Sequence, residues 1–426
     1  MTDRIDAAIR TTDISRRRFL AGTTMAGFAA FLAACGPGQS PTPTQGVPPT
    51  SGPPGASPTT AAAPEITGPL NFANWDAYID LTTVPGPDGE LDTDDDEYDL
   101  PSPTLEDFTA EYDVEVNYAN AEIDGNDTFM ATIQPQLQSG VETGWDLIVL
   151  TDWMAAKVIA AGWAEEIDPA HIATVLANIK DEYKGISYDP DFKFHVPWQS
   201  GATGLGYNSE STGRDLTKMA DLFDPAFAGK VTLLDDTRDV FPLIHMMLQA
   251  QGQASDVPPE EMGIPEVEAV AAYLRPFVDS GHIRAFRGNA YLQDFGSGDT
   301  WAAQVWSGDL ASSGGENDVF VYPEEGANLW TDNMIIPKGA PNKYTAELMM
   351  DWVYDVDRAA RLANFIYYIS PVKGVDQAIL ELDPELEGNE LLFPPADVVA
   401  RFHGQPNYDE ATETRVNELF AELSGV

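Results

Sequence analysis

Cysteine is nearly missing from this chain of 426 residues: it occurs once, as Cys35. A lone thiol forms no intrachain disulfide, and it supplies neither a thiolate metal site nor a Cys-X-X-Cys redox pair. Basic residues are also scarce, 23 Lys and Arg against 69 Asp and Glu, for a formal net charge of -46. Nucleic acid and anionic lipid, which are gripped by clustered Lys and Arg, are thereby excluded as partners. The five histidines, His171, His195, His245, His282 and His403, are far apart and form no HExxH pair or other helical ligand spacing, so they predict structural or solvated roles and no metal centre. No G-x-S-x-G elbow, Walker loop or G-x-G-x-x-G fingerprint occurs. Ser370-Pro371-Val372-Lys373 matches S-x-x-K only formally, because Pro371 opposes the helix on which that Ser and Lys must face each other. Paired acids of the kind a glycosidase uses are abundant, but in so acidic a chain such a pair has almost no specificity. Neither a catalytic residue nor a cofactor is therefore assigned.

The N-terminus carries an address. Ser15-Arg16-Arg17-Arg18-Phe19-Leu20 resembles a twin-arginine export signal, and Leu32-Ala33-Ala34-Cys35 resembles a lipobox whose Cys becomes the acylated first residue. An ordinary transmembrane helix is the alternative, but the apolar stretch from Phe19 to Ala34 is shorter than the ~20 residues a span needs. Residues 1–34 are thus expected to be a lipoprotein signal, and Cys35 a lipid anchor on the outer face of the cytoplasmic membrane. Cleavage before Cys35 would leave 18 basic against 66 acidic residues. Such a field favours cationic ligands over distances that salt limits to ~8–10 Å, yet it serves solubility equally and names no ligand.

Residues 35–65 are rich in Pro, Gly, Ser, Thr and Ala with almost nothing to bury, the composition of an extended tether. Beyond it the pattern is β and α in alternation. Leu70-Asn71-Phe72 reads as a strand, Ser102 and Pro103 open a helix with Leu105, Phe108 and Tyr112 on one face, and Val114 to Tyr118 alternates as a strand. Leu147 to Leu150 is a further strand that feeds a helix from near Asp152 to Gly162. After Pro197-Trp198 the pattern restarts with strands at Gly204 to Tyr207 and Val231 to Leu234, and helices are expected over 237–250, 265–278 and 343–354. This order implies mainly parallel sheets with helices on both faces, in two α/β units. Asp88 to Asp99 is acid-rich, but the sixth position of any EF-hand loop starting at Asp88 is Thr93, not Gly; a solvated surface insertion fits better than a calcium site.

Aromatic and acidic residues coincide where strands are expected to end. These segments are Asn74-Trp75-Asp76-Ala77-Tyr78, Thr151-Asp152-Trp153, Trp306-Ser307-Gly308-Asp309 and Trp330-Thr331-Asp332, with the acid-rich Asp235-Asp236-Thr237-Arg238-Asp239. Ligands of open α/β sheets bind outside the carboxyl ends of the strands, so the five segments could converge on one cleft. Indole and phenol rings beside carboxylates are what an aliphatic cation requires. A buried ammonium costs several kcal/mol to desolvate and a cation–π contact returns ~0.5–2, so carboxylates must supply most of the compensation. Taken singly, each segment also fits a core Trp beside a helix-capping Asp.

On these residues the chain resembles the periplasmic spermidine/putrescine-binding proteins of ABC transporters. The resemblance runs from about Pro69 to the C-terminus, through Asn74-Trp75, Trp145-Asp146-Leu147-Ile148-Val149, Pro197-Trp198, Gly201-Ala202-Thr203-Gly204, Leu234 to Phe241, Trp306 and Trp330-Thr331-Asp332. It implies a two-lobe periplasmic-binding-protein fold of type II. Each lobe is a mainly parallel sheet flanked by helices, the lobes close on a polyamine, and the closed form is presented to a permease. The lobes are expected at 66–200 plus 333–377 and at 201–332 plus 378–426, in a monomer. The resemblance implies an aromatic wall from Trp75 and Tyr78, joined by Asp76, and contacts from Thr151 and Trp153. It also implies acids holding amino groups at Asp236, Asp239 and Asp332, rings at Trp306 and Trp330, and further contacts from Tyr368 and Gln405. Asp76 and Ala77 stand where the family more often has Thr or Ser followed by an acid, and Trp153 replaces a Tyr. Ligand length and charge therefore stay open between spermidine and putrescine. Two further readings remain: a receptor of the same fold for an amino acid derivative, an opine or a ferric chelate, or a secreted hydrolase using paired acids.

Overall fold

The computed structural model describes residues 64–84, 97–99 and 102–425. The export signal, Cys35, nearly all of the tether and most of the acidic insertion lie outside these residues. No helix among the described residues is long and apolar enough to cross a membrane.

One twisted sheet organises the molecule. Its strands are β1 (Leu70–Trp75), β4 (Val116–Ile123), β5 (Leu147–Thr151), β6 (His195–Asn208), β7 (Val231–Leu234), β8 (Ile283–Arg287), β9 (Ala302–Trp306), β10 (Asp318–Val321), β11 (Ala327–Ile335) and β12 (Phe402–Gly404), while β2 (Thr82–Val84) and β3 (Glu97–Asp99) form a separate ribbon. The main order is β4-β1-β5-β11-β6-β9-β7-β8. At one end β4, β1 and β5 run parallel, and at the other β9, β7 and β8 do so. Helices connect the parallel strands within each set, as βαβ crossovers do.

The two sets are joined by strands long enough to belong to both. β6 is 14 residues long, all but the last buried. Its first part, from His195, pairs with the end of β11 beside β5, while Thr203 to Tyr207 pairs with β9. The strand expected over Gly204 to Tyr207 is therefore the end of a longer one. Pro197 and Gly201 hid its continuity, because both residues read as strand breakers in sequence. Pro197 is tolerated at the shift of register opposite Asp332 and Asn333, where one extra residue of β6 is accommodated.

The helices follow their apolar faces closely. The one at Thr237–Ala250 buries every residue from Thr237 to Leu248, as befits a helix inserted between the sheet and other helices. The helix at Pro103–Tyr112 starts at Ser102 as expected, but the cap is borrowed: Ser102 Oγ donates to Asp80 Oδ1, and Asp80 accepts the Thr104 N–H. The helices at Asp152–Ala160, Ile264–Asp279 and Lys343–Trp352 stand within two residues of their expected bounds.

Candidate functional site

The carboxyl ends of β1, β5, β7 and β9 meet across the middle of the sheet, at a crevice with an empty volume of about 410 Å3, part of it open to solvent. Its walls are Trp75, Asp76, Tyr78, Asn126, Thr151, Asp236, Asp239, Asn289, Trp306, Asp309, Trp330, Asp332, Tyr368 and Gln405. Trp75 and Thr151 are the last residues of their strands, Asp236 lies two beyond β7, and Trp306 ends β9. Trp330 and Asp332 share one face of β11 because side chains alternate along a strand.

The three indoles are anchored by their N–H groups, which fixes how their rings stand at the crevice. Trp75 Nε1 donates to the Val149 carbonyl at 3.1 Å, Trp306 Nε1 to Asp239 Oδ2 at 2.9 Å, and Trp330 Nε1 to Thr203 Oγ1 at 3.1 Å. Trp75 and Trp306 meet across the crevice with centroids 5.9 Å apart, and Tyr78 and Trp330 lie 5.0 and 5.5 Å from Tyr368. Tyr368 itself is seated against two glycines. A methyl group on Gly201 would stand 2.7 Å from both the Trp330 and Tyr368 rings, and one on Gly308 would be 2.5 Å from the Ile366 carbonyl oxygen and from the Tyr368 ring.

Five aspartates line the crevice, and among the described residues no Lys, Arg or His does. Two of them have both oxygens engaged by neutral donors. Asp239 receives Thr203 Oγ1 and Gln405 Nε2 on one oxygen and Trp306 Nε1 on the other. Asp309 receives the Tyr368 hydroxyl on Oδ1, and the Tyr291 hydroxyl and Asn289 Nδ2 on Oδ2. The other three keep an open edge. Among the described residues Asp332 Oδ1 is buried and has no donor, while Asp76 and Asp236 use a single oxygen, Asp76 for the Ala77 N–H and Asn120 Nδ2, and Asp236 for the Arg238 N–H at the helix start.

Burial favours the protonated forms of Asp236, Asp239, Asp309 and Asp332. It raises Asp332 to about 7, aided by the charges of Asp152 and Asp239 and opposed by the hydroxyls of Thr151 and Tyr78. It raises Asp309 to about 6, against the donors Tyr291 and Tyr368. Asp236 and Asp239 are pushed up by burial, Asp236 also by Asp239, so this neighbouring pair resists full ionisation while the crevice is empty.

Of the twelve residues singled out in the sequence, eleven line the crevice. Trp153 does not. Its ring lies under the guanidinium of Arg238, 3.6 Å from the ring centroid, with Lys157 Nζ at 4.7 Å, so its face is already taken by cations of the protein itself. Three wall residues were missed. Asp309 belonged to a segment singled out beside Trp306; Asn289 and Asn126 had no signal, since each acts through a partner distant in sequence, Asn289 on Asp309 and Asn126 in a reciprocal pair with Thr151 at 2.9 and 3.1 Å. The five histidines are engaged elsewhere: His171 with Glu347, His195 with Asp189, His403 with Glu260, and His245 and His282 with backbone carbonyls. Lys373 pairs with Asp181, away from Ser370, whose hydroxyl accepts the Val372 N–H.

A family model described as a bacterial extracellular solute-binding protein matches residues 104–393. Among curated relatives, spermidine/putrescine-binding periplasmic protein 1 of Haemophilus influenzae is 27% identical over 317 residues, 74% of this chain and 83% of the relative. Among solved structures, the spermidine/putrescine ABC transporter substrate-binding protein PotD of Streptococcus pneumoniae is 22% identical with a TM-score of 0.61, covering 83% of this chain and 98% of its own. MotA of Agrobacterium tumefaciens, solved in complex with glucopine, is 16% identical with a TM-score of 0.59, covering 83% and 99%. The fold is thus common to binders of different ligands, and the crevice has to choose among them.

Proposed function

The chain belongs to the bacterial extracellular solute-binding proteins, and from that premise we propose that it is the receptor of an ABC importer for a polyamine. The observation that carries this reading is the crevice wall: three indoles and five aspartates, with no basic side chain among the described residues that line it. An opine or a ferric chelate brings negative charge, which this wall repels and leaves unpaired; an amino acid derivative brings a carboxylate with the same difficulty. An aliphatic polycation meets both needs, its methylenes lying on the rings and its ammoniums on the acids.

The acids also bear on ligand charge. Among the described residues, Asp76, Asp236 and Asp332 each keep an oxygen without a donor, whereas both oxygens of Asp239 and of Asp309 accept from neutral groups. Three open edges match the three ammoniums of spermidine better than the two of putrescine. Calorimetric titration with putrescine, spermidine, spermine and ornithine tests the reading. Spermidine is expected to bind most tightly, with a heat that saturates and no product formed; heat only with ornithine, or product release, would overturn it.

The receptor works by hinge closure, with lobes at 66–200 plus 333–377 and at 201–332 plus 378–426. Support for this division comes from the crossing strands, where Ser200 Oγ and Thr331 Oγ1 meet at 2.8 Å between the two parallel sets. A ligand held between the lobes favours the closed form only through contacts it makes with both. The closed form is then what a permease recognises. Export through the twin-arginine signal and anchoring through Cys35 complete the proposal, for a monomer that performs no chemistry.

A further inference from the structure

Arg238 is the most deeply buried cation beside the crevice, 1% exposed, yet it does not line it. It follows Asp236 and Thr237 at the start of the Thr237–Ala250 helix, and its backbone carbonyl accepts Asn328 Nδ2 at 3.0 Å. Its guanidinium reaches away from the ligand volume. One Nη donates to Glu413 Oε2 at 2.7 Å, while Nε and the other Nη have no hydrogen-bond partner among the described residues. What meets these is the face of Trp153, 3.6 Å from the guanidinium carbon, and the Tyr408 ring at 5.2 Å.

The two sides of this stack belong to opposite ends of the sheet. Trp153 and Lys157 sit on the Asp152–Ala160 helix that follows β5. Arg238 follows β7, and Glu413 lies on the Glu410–Ser424 helix, which packs against the Ile264–Asp279 helix. Lys157 Nζ pairs with Glu413 Oε1 at 2.8 Å, so one carboxylate holds a cation from each side above the same indole. Opening the crevice would separate the stack and the Lys157 pair together, and would return a desolvated guanidinium and an indole to water.

We propose that Trp153 and Arg238 form a cross-cleft latch, positioning residues that set ligand affinity and residence time by stabilising the closed arrangement without touching ligand. The sequence departure at 153 then has a physical meaning. Trp presents the best ring face for a cation, and here the cation is the protein's own. Because apparent affinity scales with the fraction of molecules able to close, loss of the latch weakens binding of any ligand held between the two sides.

The full chain with Trp153→Ala, Arg238→Met and both together, titrated with spermidine, tests this. Each single change is expected to raise Kd about tenfold, about 1.4 kcal/mol, mainly through faster release, and the double change should be little worse than either single one. Trp153→Tyr should recover most of the loss. Additive losses, or an Arg238→Met protein with unchanged Kd, would overturn the latch, since a Trp153 that touched ligand directly would act independently of Arg238. If Arg238→Met does not fold, Glu413→Gln, which releases the guanidinium but keeps it charged, takes its place in the cycle. Hydrogen exchange on the ligand-free protein separates this proposal from the polyamine reading on which the titration rests. Trp153→Ala should speed exchange across the cleft at Tyr408 to Glu413, and unchanged exchange there would refute the latch whatever the ligand. Absence of any spermidine heat with the unaltered protein would instead refute the polyamine reading.

Discussion

Lowering the pH from 8 to 5 should dismantle polyamine binding without unfolding the protein. The ligand's ammoniums, with pKa values near that of a Lys side chain at about 10.4, stay charged throughout. The acids do not: Asp332, the acid with a buried oxygen that no donor reaches, is raised to about 7 by burial and the nearby charges of Asp152 and Asp239. Each pH unit below that value costs one decade of the ionised form, about 1.36 kcal/mol. At pH 5 the deficit from Asp332 is therefore about 100-fold in Kd, about 2.7 kcal/mol. Asp236, raised by burial and by the charge of Asp239, adds to that loss. Near neutrality, binding must release protons, about half of one from Asp332 alone and more from Asp236 and Asp239, which are raised as well. Stability of the empty protein runs the opposite way. A carboxyl raised above its unfolded value of about 3.9 is protonated in the folded chain where the unfolded chain has lost its proton, so it destabilises the fold progressively as pH rises from about 4 through about 7. The Tm gain on adding spermidine should grow over that window. Calorimetry in buffers of different ionisation enthalpy, repeated from pH 5 to 8, measures affinity and proton release together, and Asp332→Asn should flatten much of the profile. A Kd that stays level over this range, or proton uptake on binding at pH 7, would refute the electrostatic reasoning.

Other changes probe separate parts of the site. Trp306→Ala should weaken spermidine binding tenfold or more, since it removes a stacking face and leaves Asp239 without the indole donor at 2.9 Å; calorimetry and far-UV circular dichroism together check that affinity falls while the fold persists. Gly201→Ala forces a methyl to 2.7 Å from two aromatic rings, and overpacking of this kind costs about 1–3 kcal/mol, read as a lower Tm in thermal melts. Gly288→Ala places a methyl 2.7 Å from the Asp124 carbonyl oxygen on the other side of the cleft; it should raise the Kd severalfold with little change in the Tm of the ligand-free protein.

Much of the site was legible because its residues sit at predictable places. A strand that ends in Trp75, Thr151 or Trp306 aims that residue at the carboxyl edge of the sheet, and sheet geometry alone then puts such ends together. Asn126 and Asn289 escaped detection because their relevance lies in partners, Thr151 and Asp309, that no local pattern connects to them. Trp153 shows the converse. Its position beside Thr151 suggested a wall residue, but the helix beginning at Asp152 turns its ring toward Arg238, a neighbour 85 positions away in sequence.

Local chemistry set the elements and their ends. The run Val231 to Leu234 reads as a strand, a helix reads from Thr237 after it, and acids beside indoles at strand ends favour a cationic ligand. Tertiary structure alone decided that β6 and β11 run unbroken through both halves, which acids keep an open edge, and which aromatic faces are already occupied. Strand and cap formation depend on neighbours a few residues apart, which the sequence displays. Desolvation, donor saturation and cation stacking depend on neighbours brought from far along the chain, and these exist only once it has folded.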